Sequence, residues 1–133
     1  MRRFIFALGV LLLLSACNVP TQATPRNAAL LQSAQKGALA SPSFVEFYSD
    51  ECASCRKIQG PLLALDERYT PRVQFIYIDI DQDFAEPFMA QYNVRGAPTF
   101  VLLDQRGQVV ENIAGWSGDQ AMTDALDRLT ARP

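Results

Sequence analysis

The spacing of apolar and polar residues changes several times along this chain, and each change predicts an element. Phe4 to Leu14 is unbroken apolar sequence. Ser43-Phe44-Val45-Glu46-Phe47-Tyr48-Ser49 is a short apolar run interrupted by one acid, as expected of a central strand covered on both faces. From Arg56 to Tyr69 the period lengthens. Ile58, Leu62, Leu65 and Tyr69 recur at helical spacing, while Arg56, Lys57, Asp66, Glu67 and Arg68 supply polar surface. Pro61 falls inside that pattern and predicts a kink, because it removes a backbone donor and crowds the previous turn. Val73 to Ile78 reads as a second strand.

Weaker patterns fill the rest. Ala28 to Lys36, ended by Gly37, predicts a short helix, and Phe84 to Tyr92 another, disturbed by Pro87. Thr99 to Leu103, the turn Asp104-Gln105-Arg106-Gly107 and Gln108 to Ile113 predict an antiparallel hairpin. Ser117 to Gln120 matches a capping box, opening a last helix with Met122, Ala125, Leu126 and Leu129 on one face. Strand, helix and strand alternate as a parallel βαβ unit requires. The fold class is therefore α/β: a central mixed sheet, made of the βαβ unit and the C-terminal hairpin, flanked by helices.

The first apolar block is a different object. Arg2 and Arg3 precede it, and its 11 residues would make about 16 Å of helix, roughly half the hydrocarbon thickness of a bilayer. Residues 1–17 thus read as an export signal and not as a spanning anchor. Leu14-Ser15-Ala16-Cys17 resembles the lipobox of bacterial lipoproteins, which implies that Cys17 is lipidated and becomes the first residue of the mature protein. The alternative is an ordinary secretory signal cleaved near Ala16. Asn18 is not the aspartate that retains some lipoproteins in the inner membrane. Residues 18–27, with Pro20, Pro25 and no large apolar cluster, read as a flexible tether of about 30 Å reach. The folded domain is expected over 28–133.

The net charge is −2, from 12 basic and 14 acidic side chains, and losing Arg2 and Arg3 with the signal leaves −4. Nothing in that balance suggests nucleic-acid binding. There is no histidine, which excludes imidazole acid–base steps, Ser-His and Cys-His nucleophile pairs and His-based zinc sites. Asp79, Asp81 and Asp83 alternate, but a calcium loop would need glycine where Phe84 stands and glutamate where Ala90 stands.

The remaining cysteines, Cys52 and Cys55, sit where the first strand meets the first long helix. Three positions apart at a helix start, their sulfurs are within reach of a disulfide. The first sulfur lies near unpaired N–H groups and the positive end of the helix, and both favour thiolate. A structural zinc would need four ligands, and no third free cysteine or histidine is present, so redox chemistry is the stronger reading and no metal or cofactor is expected.

The order of elements, with Cys52-Ala53-Ser54-Cys55 after Phe44-Val45-Glu46-Phe47-Tyr48, then Asn93-Val94-Arg95-Gly96-Ala97-Pro98-Thr99-Phe100 and Gly115, resembles thioredoxin-like domains from about residue 28 to 131. Within that superfamily it looks most like the membrane-attached, extracytoplasmic members that supply reducing equivalents, including those serving cytochrome c assembly. The resemblance implies a thioredoxin fold, with Cys52 as attacking thiol and Cys55 as buried resolving thiol. It further implies a cis peptide between Ala97 and Pro98, set against the cysteines with a backbone edge left free for an extended substrate. A trans proline opening a strand is the alternative.

Glu46 stands where thioredoxins carry an aspartate. A lone carboxyl among apolar residues should have a raised pKa, suited to a proton shuttle, unless the strand bends and lets it reach solvent. Glu51 replaces the tryptophan thioredoxins place before the first cysteine, and with Asp50 it opposes thiolate formation, whereas Arg56 and Lys57 favour it. With no histidine between the cysteines, a reductant is expected over a strong oxidant. Trp116 either flanks the active face or packs into the core.

The expected partners are disulfide-bearing proteins, a membrane electron donor that recycles the site, and the membrane itself through the lipid. The expected location is extracytoplasmic. The rival functions are a binding module with a structural disulfide and a disulfide oxidase.

Overall fold

Ser43–Tyr48 (β1) is buried on both sides, which is why its sequence is apolar at consecutive positions. The computed structural model describes residues 23–132, with side chains from Arg26 onward. The signal, Cys17 and residues 18–22 lie outside the described residues. β1 pairs in parallel with Gln74–Asp79 (β2), Val45 opposite Ile76, and antiparallel with Thr99–Leu103 (β3), Phe47 opposite Thr99. Val109–Ala114 (β4) closes the sheet against β3, giving the order β2-β1-β3-β4. The second and fourth strands begin one residue later than the apolar pattern predicts.

Alternation along β1 divides the core between two faces. Phe44 packs with Ile58, Leu62 and Leu65 of Ala53–Tyr69 (α2) and with Met122, Leu126 and Leu129 of Asp119–Thr130 (α4). Val45 and Phe47 pack with Leu31 of Ala23–Gln35 (α1) and Phe88 of Glu86–Gln91 (α3). This is the thioredoxin fold: a four-stranded mixed sheet between two layers of helix.

Several boundaries differ from expectation, each for a local reason. The first helix starts at Ala23, not Ala28, and takes up the last five residues of the stretch read as tether. Pro25 is compatible with that start because a proline in the first turn gives up an N–H that has no helical partner. Pro87 likewise falls in the first turn of α3, after a short 3-10 turn over Asp83–Ala85, so it starts a helix and does not disturb one. α2 continues through Pro61 to Tyr69 without a break. The capping box does not form. The cap of α4 is Gly118, at φ 98°, with no side-chain cap bond, so Ser117 stands one residue too early to face the third residue of the helix. Among the described residues no helix is long and apolar enough to cross a membrane.

Candidate active site

The chain leaves β1 through a tight turn held by its own polar groups. The Ser49 hydroxyl donates to the Asp81 carboxylate at 2.5 Å and accepts the Glu51 N–H at 3.2 Å, and the Cys52 N–H bonds the Ser49 carbonyl at 3.1 Å. This turn delivers Cys52 as the N-cap of α2, with extended backbone and its sulfur accepting the Cys55 N–H at 3.1 Å. Serine and aspartate usually fill that role through oxygen; here sulfur satisfies one of the orphan donors.

Cys52 and Cys55 are joined as a disulfide across a Cα separation of 5.2 Å. They are unequal. Cys55 is 5% exposed and faces the core, whereas Cys52 is half-buried at the surface. The Ser54 hydroxyl lies 3.1 Å from the Cys52 sulfur, and the Ala97 carbonyl oxygen lies 3.5 Å from it. In the disulfide the sulfur has no proton, so the approach to Ala97 is a contact; in the dithiol it becomes a bond the thiol can donate. The Arg56 guanidinium donates to the Asp50 carbonyl at 2.5 Å, which holds a cation beside the cysteine turn.

The Ala97–Pro98 peptide is cis, Pro98 is buried, and its carbonyl accepts the Gly115 N–H at 2.8 Å. Thr99 donates to the Gly96 carbonyl at 2.7 Å and fixes the same turn. An open groove of about 700 Å³ runs past this segment, bordered by Ser54, Arg95, Ala97, Pro98, Asn112 and Gly115. Trp116 packs edge-on against Phe100, with ring centroids 5.7 Å apart, at the margin of the core.

Glu46 is 5% exposed on the α2 side of β1. Burial pushes its carboxyl up to about 7, because desolvation penalises the charged form. Tyr77 stands opposite Glu46 in the strand register, but its hydroxyl donates to Asp66 at 2.7 Å and is not turned to Glu46. That bond and burial push the Tyr77 hydroxyl pKa up as well, burial being the larger cause. A cavity of about 40 Å³ touches Glu46, Ser49, Cys55 and Gln59. It is roomy enough for a water between the carboxyl and the inner sulfur.

Cys52, Cys55, Glu46, Ala97 and Pro98 therefore gather at one end of the sheet, and Cys17 lies outside the described residues. The sequence reading did not single out Ser54, Arg95 or Gln59 as site residues. Gln59 had a legible signal, since it follows Cys55 by four positions and so shares its helix face.

The chain matches the thioredoxin family model over residues 28–128, and residues 1–18 match the model for the prokaryotic membrane lipoprotein lipid attachment site. It is 36% identical over 94 residues to the thiol:disulfide interchange protein TxlA of Synechococcus elongatus, covering 71% of this chain and 46% of that protein. It is 29% identical over 90 residues to the chloroplastic thioredoxin-like protein HCF164 of Arabidopsis thaliana, covering 68% of this chain and 34% of that one. The chain thus spans less than half the length of these two relatives. Among solved structures, thioredoxin NaTrxh of Nicotiana alata superposes with a TM-score of 0.66 at 25% identity, covering 79% of this chain and 85% of that one. Fasciola hepatica thioredoxin gives 0.63 at 29% identity, covering 80% and 95%. With its fold, its Cys-x-x-Cys helix cap and a family match over most of its length, this chain belongs to the thioredoxin family.

Proposed function

We propose that the protein is a lipid-tethered, extracytoplasmic thiol:disulfide oxidoreductase that reduces protein disulfides. The observation that carries this reading is the inequality of the two sulfurs: one half-buried at a helix mouth beside a groove, the other 5% exposed beneath it. The Cys55 N–H and the positive end of α2 stabilise a thiolate on Cys52. That thiolate attacks one sulfur of a substrate disulfide and releases the other as a thiolate, leaving a mixed disulfide. Cys55 gives its proton to Glu46 through a water in the small cavity and attacks the Cys52 sulfur. The second substrate thiolate leaves with two electrons transferred in all, and the Cys52–Cys55 disulfide remains. A carboxyl with a pKa of about 7 can accept and return that proton near neutral pH.

The groove beside Ala97 and Pro98 suits an extended peptide. A disulfide across a Cys-x-x-Cys-His haem-attachment segment is one substrate of the right chemistry. Reductant duty is favoured by the absence of an imidazole to hold the thiolate, and a dithiol donor in the membrane would restore the reduced state. Lipidation at Cys17 and the extracytoplasmic location are supported by the match over residues 1–18.

The test is trapping. Cys55→Ser should accumulate mixed disulfides on Cys52, and the wild-type dithiol should reduce insulin. A reduction potential well below about −200 mV is expected of a reductant. Failure of both trapping and insulin reduction would leave a binding module with a structural disulfide, and a potential well above that value would make the protein an oxidase.

A further inference from the structure

We propose that the lipid anchor holds the redox end of this domain toward the bilayer, so that its substrates are disulfides of membrane proteins lying close to the lipid headgroups. The proposal rests on the oxidoreductase reading and on lipidation at Cys17, and adds an orientation to them.

The course of α1 carries the argument. The redox end of the sheet is where β1 finishes and β3 begins, Phe47 opposite Thr99. The far end is where Ser43 meets Leu103 and the hairpin turns at Asp104–Gly107. α1 finishes at the far end. A Cβ added to Gly107 would stand 2.5 Å from the Gln35 carbonyl oxygen, and one added to Gly37 would stand 3.2 Å from the Arg106 Cα. From there α1 runs back over 13 residues, about 19 Å and so about the length of the strand, and Asn27 borders a pocket that extends from Leu62 and Asp66 of α2 to Tyr48 and Asp50 at the redox end. The C-terminus leaves from the far end, where Thr130 and Ala131 share a pocket with Ser41, Pro42 and Gln105.

Magnitudes decide what that course means. Residues 18–22 are all that separate Cys17 from Ala23, and six Cα steps reach at most about 20 Å. A six-residue strand is itself about 20 Å long. Resting the far end on the bilayer would use that whole reach along the side of the domain. Resting the redox end there uses little of it. Charge does not select the orientation, because at that end Asp50, Glu51, Asp79 and Asp81 stand against Arg56, Lys57 and Arg95 and leave no basic surface for the headgroups. The covalent tether does, and the preference should persist at high salt. A disulfide within reach of the headgroups then meets Cys52 by diffusion in the membrane plane.

The molecule contains its own reporter. Trp116 is the single tryptophan and lies at the redox end, next to Gly115, whose N–H bonds the Pro98 carbonyl. The processed protein, residues 17–133 lipidated at Cys17, is placed in phosphatidylcholine vesicles containing dansyl-labelled phosphatidylethanolamine. It is compared with Cys17→Ser carrying a maleimide lipid on a cysteine appended after Pro133, coupled while Cys52 and Cys55 are oxidised. Energy transfer from Trp116 to dansyl should be severalfold stronger from the N-terminal anchor.

Both proteins are then pre-reduced and given one turnover on a disulfide linked to a lipid headgroup, each closing its own Cys52–Cys55 disulfide as the probe gains two thiols. The N-terminally anchored protein should again be severalfold faster, while both reduce soluble insulin equally. Equal energy transfer and equal rates on the lipid-linked probe would overturn the orientation while leaving the oxidoreductase intact. Loss of insulin reduction in both would overturn the oxidoreductase reading and the substrate assignment with it, whatever Trp116 reports.

Discussion

At the end of the sheet away from the cysteines, the Asp104 carboxylate accepts the N–H groups of Arg106 and Gln108 at 2.9 Å each. Gly107, at φ 78°, lies so close to the last turn of α1 that a side chain has no space. At the redox end Ser49 and Thr99 bind turn backbone in the same way, but the groups of the site itself are less tied down. Cys52 caps its helix with a sulfur, α4 starts without a side-chain cap, and Glu46 is buried where loss of solvent raises its pKa. Both ends use polar side chains to hold their turns; the redox end also keeps a thiol and a carboxyl available for chemistry. Stability and reactivity should therefore respond separately to substitutions at the two ends.

The largest separation is expected from Cys52→Ser. Serine has no nucleophilic sulfur, so insulin reduction should vanish, while thermal unfolding matches that of the reduced wild type. Residual turnover in the insulin assay would mean that another sulfur attacks. Gly107→Ala should do the reverse. It places a side chain at positive φ and against the Gln35 carbonyl, which together cost about 3 kcal/mol or more. Urea unfolding should show the loss, with the single-turnover rate of the folded fraction unchanged.

Glu46→Gln sharpens the contrast, because it touches both quantities at the redox end. The carboxyl titrates near 4.5 when exposed and at about 7 when folded. Between those values the folded state holds the proton that the unfolded state has released, so wild-type stability falls as pH rises from 4.5 and levels off above 7. The full change is at most about 3 kcal/mol for a shift of this size. The glutamine variant should lack this slope and gain relative to wild type above pH 7, as read from urea midpoints at several pH values. Its turnover should fall severalfold, because glutamine accepts no proton from Cys55. An unchanged pH slope in the variant would assign the titration to another group.

Asp104→Ala comes next. It removes an acceptor from two backbone N–H groups in a partly exposed turn, a loss of about 1–2 kcal/mol. Chemical denaturation should register it without any change in turnover.

The two ends also differed in how far the sequence revealed them. β1 and α2 were legible because burial on both faces, or on one helical stripe, leaves a dense apolar pattern. The cysteine pair was legible because its chemistry depends on spacing within one turn. The approach of Ala97 to the Cys52 sulfur spans 45 positions, and no local pattern encodes it; only the family resemblance suggested it. The start of α1 was hidden because Ala23-Thr24-Pro25-Arg26-Asn27 carries no large apolar residue and includes a proline, so no helical stripe marks it. The cap of α4 was misread because a Ser-x-x-Gln pattern records which residues could cap, not the backbone angles that decide whether they do.

Ser117→Ala tests that last point and has the smallest expected effect. Ser117 is exposed, and the first backbone bond of α4 runs from the Met122 N–H to the Gly118 carbonyl at 3.1 Å. A serine at a working N-cap is worth about 1 kcal/mol, whereas an exposed serine outside the helix should change stability by no more than about 0.3 kcal/mol. The urea midpoint should stay in place with an unchanged slope. A loss near the larger figure would mean that the helix begins one residue earlier in solution, with Ser117 and Gln120 bonding each other's backbone. The redox end would then own a conventional cap, and the contrast with the Asp104 turn would rest on Cys52 and Glu46 alone.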